Sequence, residues 1–244
     1  MIHHRVFAHD VRMRVLFLDT ETNGLPKNRY AAYTYPGAWP AIVQIAWQVW
    51  DMREHETSIC LQSSSYIVKP EPDLVWNKES EAIHGIVRAV AETGVEATHV
   101  LTRLAADARG ADMCIIHNLA FDKPVVWAFS HRYGLDPVKW WPKHELCSML
   151  ETVGVCRIPS TSKYATEKDP YKWPRLEELF KSLFPTRPIP TNLHDARRDV
   201  DCLVACVEEL QRRRLVNWPL VPTRVDTFVD GFRRVLRGLE ELRL

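Results

Sequence analysis

Long apolar runs are missing from this sequence. Nothing approaches the roughly 18 consecutive apolar residues of a membrane span. The opening stretch, Met1 to Asp10, is polar and lacks the apolar core of a secretory leader. The six cysteines contain no CxxC pair and no dense framework, so ordinary reduced thiols in a cytoplasmic protein are expected. Cys202 and Cys206 stand four apart on an expected helix and read as core thiols rather than half a metal site. Excess charge of one sign is lacking too. The formal net charge is +1, so nucleic-acid binding has to come from a local patch or from bound metal ions. Internal repeats and low-complexity tracts are also absent.

What is present is an ordinary globular balance, 46% hydrophobic and 26% charged over 244 residues, enough to bury a full core. One domain is expected, spanning 14–213. An N-terminal extension (1–13) precedes it. A C-terminal helical extension (214–244) follows, packed on the domain.

Val15 to Leu18 is continuously apolar, which suits a strand buried on both faces. It ends in Asp19-Thr20-Glu21. Residues 26–40 carry Pro, Gly and aromatics and read as a long loop. Ile42 to Trp50 and Ser58 to Val68 read as two more strands, forming an antiparallel meander with the first. Helices are expected over Lys78–His84 and Val95–Ala108, then a short strand, Met113–Ile116, and a helix to about Tyr133. Glu145–Met149 is either a short strand or the start of a helix. Pro174–Leu183, Asp195–Arg213 and Arg224–Leu242 read as helices, the first with Pro at its start. Strands followed by alternating helices and strands make an α/β mixed sheet. Sites in such sheets gather at the carboxyl ends of strands. Trp47, Trp50 and Trp127 are assigned to core packing.

Three groups of residues carry candidate chemistry. Asp19 and Glu21 are two apart at a strand end and so share a face. They are either solvated surface acids or ligands of a hard cation such as Mg²⁺ or Mn²⁺. Asp122 follows Asn118, which is placed to cap a helix, and negative charge near a helix N-terminus is favoured. Pro124 implies that this helix either begins around Asp122 or bends there. In His194-Asp195-Ala196-Arg197-Arg198-Asp199, Asp195 reads as the cap of the next helix. Asp199 lies one turn in, and His194 precedes the helix.

In this order the groups resemble the DEDDh branch of the DnaQ-like 3′–5′ exonucleases, the family of bacterial proofreading subunits. The matching strings are Leu18 to Leu25, His117 to Asp122, and His194 with Asp199. Ile83-His84-Gly85-Ile86 matches a further family string. The resemblance spans about residues 14 to 212. Asn23 departs from it, since the family often has a second Thr there. The sibling branch replaces the histidine with a tyrosine at a different spacing.

The resemblance implies an RNase H-like sheet and hydrolysis of single-stranded DNA, or DNA 3′ ends, to nucleoside monophosphates. It implies two Mg²⁺ (or Mn²⁺) ions held by Asp19, Glu21, Asp122 and Asp199, with Asp19 bridging. His194 is then the general base. Thr22 and Leu25 line the base and sugar pocket, His84 meets the terminal phosphate or sugar, and Asn118 is a further candidate contact. Two alternatives stay open. One is an exoribonuclease of the RNase T or oligoribonuclease sort. The other is a non-catalytic nucleic-acid-binding or polymerase-tethering module. The loop from Pro26 to Pro40 combines cations and aromatics that either grip a single strand or pack the loop down. Lys163 to Lys172 either steers the strand or is a plain surface loop. Phe228, Phe232, Val235, Leu236, Leu239 and Leu242 give the last helix an apolar face for the domain or for a polymerase or other protein partner.

Overall fold

Alternation along one central strand explains most of the architecture. The computed structural model describes residues 12–53, 57–162, 166–167, 170–191 and 193–216. The strands are β1 (Arg12–Thr22), β2 (Ile42–Arg53), β3 (Ile59–Ile67), β4 (Met113–Ile116) and β5 (His144–Cys147). They form one sheet in the order β3-β2-β1-β4-β5. β2 pairs antiparallel with both β1 and β3, while β4 runs parallel to β1 and β5 parallel to β4. The helices are α1 (Lys78–His84), α2 (Arg88–Ala91), α3 (Ala97–Ala108), α4 (Leu119–Arg132), α5 (Ser148–Glu151), α6 (Val153–Cys156), α7 (Leu176–Leu183) and α8 (Ala196–Arg212).

Leu16 and Leu18 point to one side of β1. They join Ile45, Trp47 and Ile116 against Leu101 and Leu104 of α3 and Val125 and Phe129 of α4. Val15 and Phe17 point to the other side, where Ala46, Met113 and Ile115 meet Val200, Leu203 and Val207 of α8. Covered on both faces, β1 has to read as a continuous apolar run. A third cluster joins Leu179, Phe180 and Leu183 of α7 to Cys202, Cys206 and Leu210 of α8. The two helical cysteines are therefore core residues.

The structure corrects several boundaries. β1 does not stop at Leu18. Its pairing with β2 continues through Asp19↔Ala46, Thr20↔Ile45 and Glu21↔Gln44, so the acids lie inside the ladder. β1 also takes in Arg12 and Met13, assigned above to an extension. The segment at Glu145 is both of the things considered, β5 and then α5. α4 begins at Leu119, which leaves Pro124 inside it. α7 starts two residues after Pro174, where the Arg175 N–H donates to Glu178 Oε2 (2.8 Å). The short helices α2 and α6 have no periodic signal to betray them. The helix expected over Arg224–Leu242, with its apolar face, lies outside the described residues, as does nearly all of the N-terminal extension. Among the described residues, no helix is long and apolar enough to cross a membrane.

A polar tie fixes α8 to the sheet. Asp195 caps α8 as expected, accepting from the N–H groups of Arg197 and Arg198. Gln44 of β2 donates to Asp195 Oδ2 (3.1 Å) and accepts from the Ala196 N–H (3.1 Å). Gln44 is buried, so a replacement that cannot bond leaves the Ala196 N–H unpaired in the interior. Gln44→Leu is expected to lower the unfolding free energy by about 1–3 kcal/mol, read as an earlier urea midpoint. An unchanged midpoint would mean that this tie contributes nothing.

Candidate active site

Five side chains converge at the carboxyl end of β1. Asp19 and Glu21 share the face of Phe17, toward α8, by strand alternation. Asp199 arrives from the first turn of α8 and Asp122 from the first turn of α4. Ligand atoms of Glu21, His194 and Asp199 lie within 4.8 Å of one another. His194 is exposed at the rim, while Glu21, Asp122 and Asp199 are buried. The His194 backbone N–H donates to Asp199 Oδ2 (3.1 Å). One oxygen of Asp122, Oδ1, accepts twice from Thr20, from its hydroxyl (2.7 Å) and its N–H (3.1 Å). These bonds orient the carboxylate.

Burial is the first cause of unusual acidity here, and mutual repulsion is the second. Asp19 is raised well above the ordinary carboxylate range by desolvation, then by Asp122, Asp199 and Glu21. Glu21 is raised to about 8 by desolvation, then by Asp199 and Asp122. Asp122 is raised to about 7 by desolvation, against the lowering effect of the Thr20 hydrogen bonds. Asp199 is raised by desolvation, opposed by the His194 N–H.

Among the described residues, no Lys or Arg forms an ion pair with any of these four acids. A crowd of carboxylates without a protein cation fits divalent metal. The donor set, four carboxylates and one imidazole, suits Mg²⁺ or Mn²⁺ better than a thiophilic ion.

The other sequence candidates are placed less decisively. The Thr22 hydroxyl donates to the Gly24 carbonyl (2.8 Å) and so holds the turn after the acids. Leu25 is 80% exposed. With Asn23 it borders a cavity of about 430 Å³ that also touches Lys27, Trp39, Val75 and Arg132. His84 ends α1, and its Nδ1 accepts from the Ile86 N–H (3.0 Å), so the ring proton is on Nε2. Desolvation lowers its pKa. No hydrogen bond among the described residues joins His84 to the acids. Asn118 is not a side-chain cap. It sits at the N-cap of α4 in the left-handed conformation (φ 68°) and makes no cap hydrogen bond, because that backbone turns its side chain away from the helix start.

The loop from Pro26 to Pro40 divides between both roles considered for it. Tyr33 packs edge-on against Trp127 (centroids 5.1 Å apart) and Trp39 is buried, whereas Tyr30 and Tyr35 are exposed. Sequence reasoning missed Thr20 and Gln44. Each faces a residue over 100 positions away, and no local pattern signals such a pairing.

The sheet order and its flanking helices are those of an RNase H-like fold, as the resemblance implied. No family model matches the sequence, and no curated protein does. Among solved structures, the fold is similar to exonuclease I. The zinc-bound complex of the E. coli enzyme with single-stranded DNA has a TM-score of 0.61 at 21% identity, covering 82% of this chain and 41% of that one. The E. coli enzyme with a 5cy-dT13 oligonucleotide gives 0.62 at 20% identity, covering 83% and 41%. The moderately thermophilic exonuclease I of Methylocaldum szegediense gives 0.59 at 20% identity, covering 82% and 41%. The chain spans less than half the length of these proteins. At such identity the likeness establishes the fold.

The acids' electrostatics give a stability prediction. Carboxyls whose folded pKa is raised bind more protons folded than unfolded. The metal-free protein therefore loses stability as pH rises from the ordinary carboxylate range through about 8. In chelator the Tm is expected to fall from about pH 5 to about pH 8, less steeply in Glu21→Gln. Added Mn²⁺ restores most at the upper end. A Tm that climbs with pH in chelator contradicts the crowded-carboxylate picture.

Proposed function

We propose that the chain is a two-metal 3′–5′ exonuclease that hydrolyses single-stranded DNA to nucleoside monophosphates. One observation carries the reading: Asp19, Glu21, Asp122 and Asp199 converge with no ion-paired Lys or Arg among the described residues, and His194 stands beside them at the rim. The likeness to exonuclease I, solved with single-stranded DNA, supports exonuclease action on such a strand; the 3′–5′ direction is what the DEDDh resemblance implies.

In this reading Asp19, Glu21, Asp122 and Asp199 would hold two divalent ions. Such ions supply Lewis-acid stabilisation of the attacking and leaving oxygens of an in-line displacement. Thr20 holds Asp122 in one orientation through two hydrogen bonds, which leaves Oδ2 for ligation. The His194 N–H does the same for Asp199 through Oδ2, leaving Oδ1. The imidazole of His194, exposed to solvent, takes the proton of the attacking water and passes it to bulk. Glu21, the neighbour of His194, accepts from the terminal 3′-hydroxyl. Thr22 keeps the turn at Gly24 closed, so that Leu25 stands out beside the terminal sugar and base. The resemblance assigns His84 to a phosphate or sugar oxygen, although its Nε2 is buried and unpartnered among the described residues, and it makes Asn118 a further polar contact.

The test uses oligonucleotides labelled at either end, with Mg²⁺, with Mn²⁺ and with chelator. A 5′ label is expected to give a descending ladder and a 3′ label immediate mononucleotide. Both should vanish in chelator, and cleavage that persists there refutes the metal mechanism. Matched RNA is expected to be degraded more slowly than DNA. His194→Ala, and His194→Asn, which tolerates a left-handed backbone, are each expected to cut turnover about 10²–10⁴-fold. Both should keep the thermal shift that Mn²⁺ induces. Near-normal turnover in either variant removes His194 from the role of base. Asp19→Asn is expected to lose both turnover and shift.

A further inference from the structure

We propose that Trp173 is a stacking platform for a nucleobase of the strand that enters this site; the proposal rests on the exonuclease reading. Trp173 is 60% exposed, although the residues on either side of it are anchored. Before it, the Lys172 N–H donates to the Ile158 carbonyl (2.9 Å) and its ammonium pairs with Glu178. After it, Pro174 is buried and its carbonyl accepts from His117. An indole left in water on a pinned backbone is a preorganised flat surface that loses little freedom when a partner covers it.

The anchor at His117 ties this surface to the catalytic end of the sheet. A carbonyl only accepts, so His117 Nε2 carries the proton and donates to Pro174 O (3.1 Å). Nδ1 then accepts from the Ser148 hydroxyl (3.0 Å). Burial depresses the His117 pKa to about 4, so the ring stays neutral and this tautomer persists at working pH. His117 directly follows β4. The β1–β4 register runs Val15↔Met113, Leu16↔Cys114 and Phe17↔Ile115. Two further steps bring His117 level with Asp19. Adjacent strands lie about 4.8 Å apart, so the histidine that holds Pro174 is a near neighbour of the acid assigned to both metals. On the other flank, Leu176 packs against the cluster that includes Leu146 of β5 and Ala196 and Val200 in the α8 turn that supplies Asp199. The segment 173–176 is thus tied to the end of β4 on one flank and to the cluster beneath α8 on the other.

An indole face recognises any base, because every base has a π-face. It suits a single strand, whose bases are unpaired, and not a duplex.

The test measures affinity for a 5′-labelled oligothymidine by fluorescence anisotropy in chelator, and KM with Mg²⁺. Trp173→Ala is expected to weaken binding and raise KM by about 5- to 150-fold. Trp173→Phe should stay within about threefold, since it keeps a stacking ring. A series of strands with one abasic position then locates the base. At one position wild type should lose as much affinity as Trp173→Ala does, and the variant should lose nothing more. The proposal is overturned if Trp173→Ala binds the intact strand as wild type does, or if no abasic position removes the difference. Trp173-dependent binding without cleavage would leave the platform standing and sink the exonuclease reading. Cleavage indifferent to Trp173 would do the reverse. No binding by wild type sinks both.

Discussion

Four carboxylates held within reach of one another, three of them buried, cost free energy unless something positive stands among them or protons neutralise them. Asp19, Glu21, Asp122 and Asp199 have no Lys or Arg of their own among the described residues, and their raised pKa values record that cost. The scaffold around them acts against this repulsion. Thr20 fixes one oxygen of Asp122, and the His194 N–H fixes one of Asp199. Gln44 and Asp195 lock the start of α8 to β2. Without these ties the acids would turn outward into water. With them, the acids stay gathered at the end of β1, a group that could hold a cation.

The fold serves the same end through its layers. Both faces of β1 are covered, by α3 and α4 on one side and α8 on the other. The carboxyl end of β1 is therefore a deep position where elements from both layers meet. Asp122 comes from one layer and Asp199 from the other. The parallel neighbour β4 places its own carboxyl end at the same level, which brings His117 and, through it, the segment 173–175 to the border of the site.

Much of this was legible in the residues. The apolar run Val15–Leu18 announced a doubly buried strand, and β4 and α1 emerged with the expected ends. Asp195 read correctly as a cap because its type and position before an amphipathic stretch say so locally. The five candidate residues were legible as a spaced pattern, and the structure brings them to one end of β1. What escaped was long-range or backbone-encoded. Asp19 and Glu21 were expected at a strand end, but their partners on β2, Ala46 and Gln44, lie in no local window. Asn118 has a capping side chain but a backbone that forbids its use. His117 stood inside a motif, yet its role as a tie depends on Ser148 and Pro174, residues 31 and 57 positions further on.

One backbone feature links the two acid-bearing helices. Among the described residues, four that are not glycine have a left-handed backbone: Asn118, Arg157, His194 and Arg214. Asn118 immediately precedes α4, and His194 stands one residue before the cap of α8. Each acid-bearing helix is thus entered through a reversed step, which costs an ordinary side chain about 1 kcal/mol. Proline cannot adopt it at all, and β-branched residues do so at greater cost. Positions 118 and 194 are therefore constrained by the handedness of the chain, apart from any chemistry of their side chains. A variant that lost function at either one would have to be separated into a chemical defect and a misaimed helix.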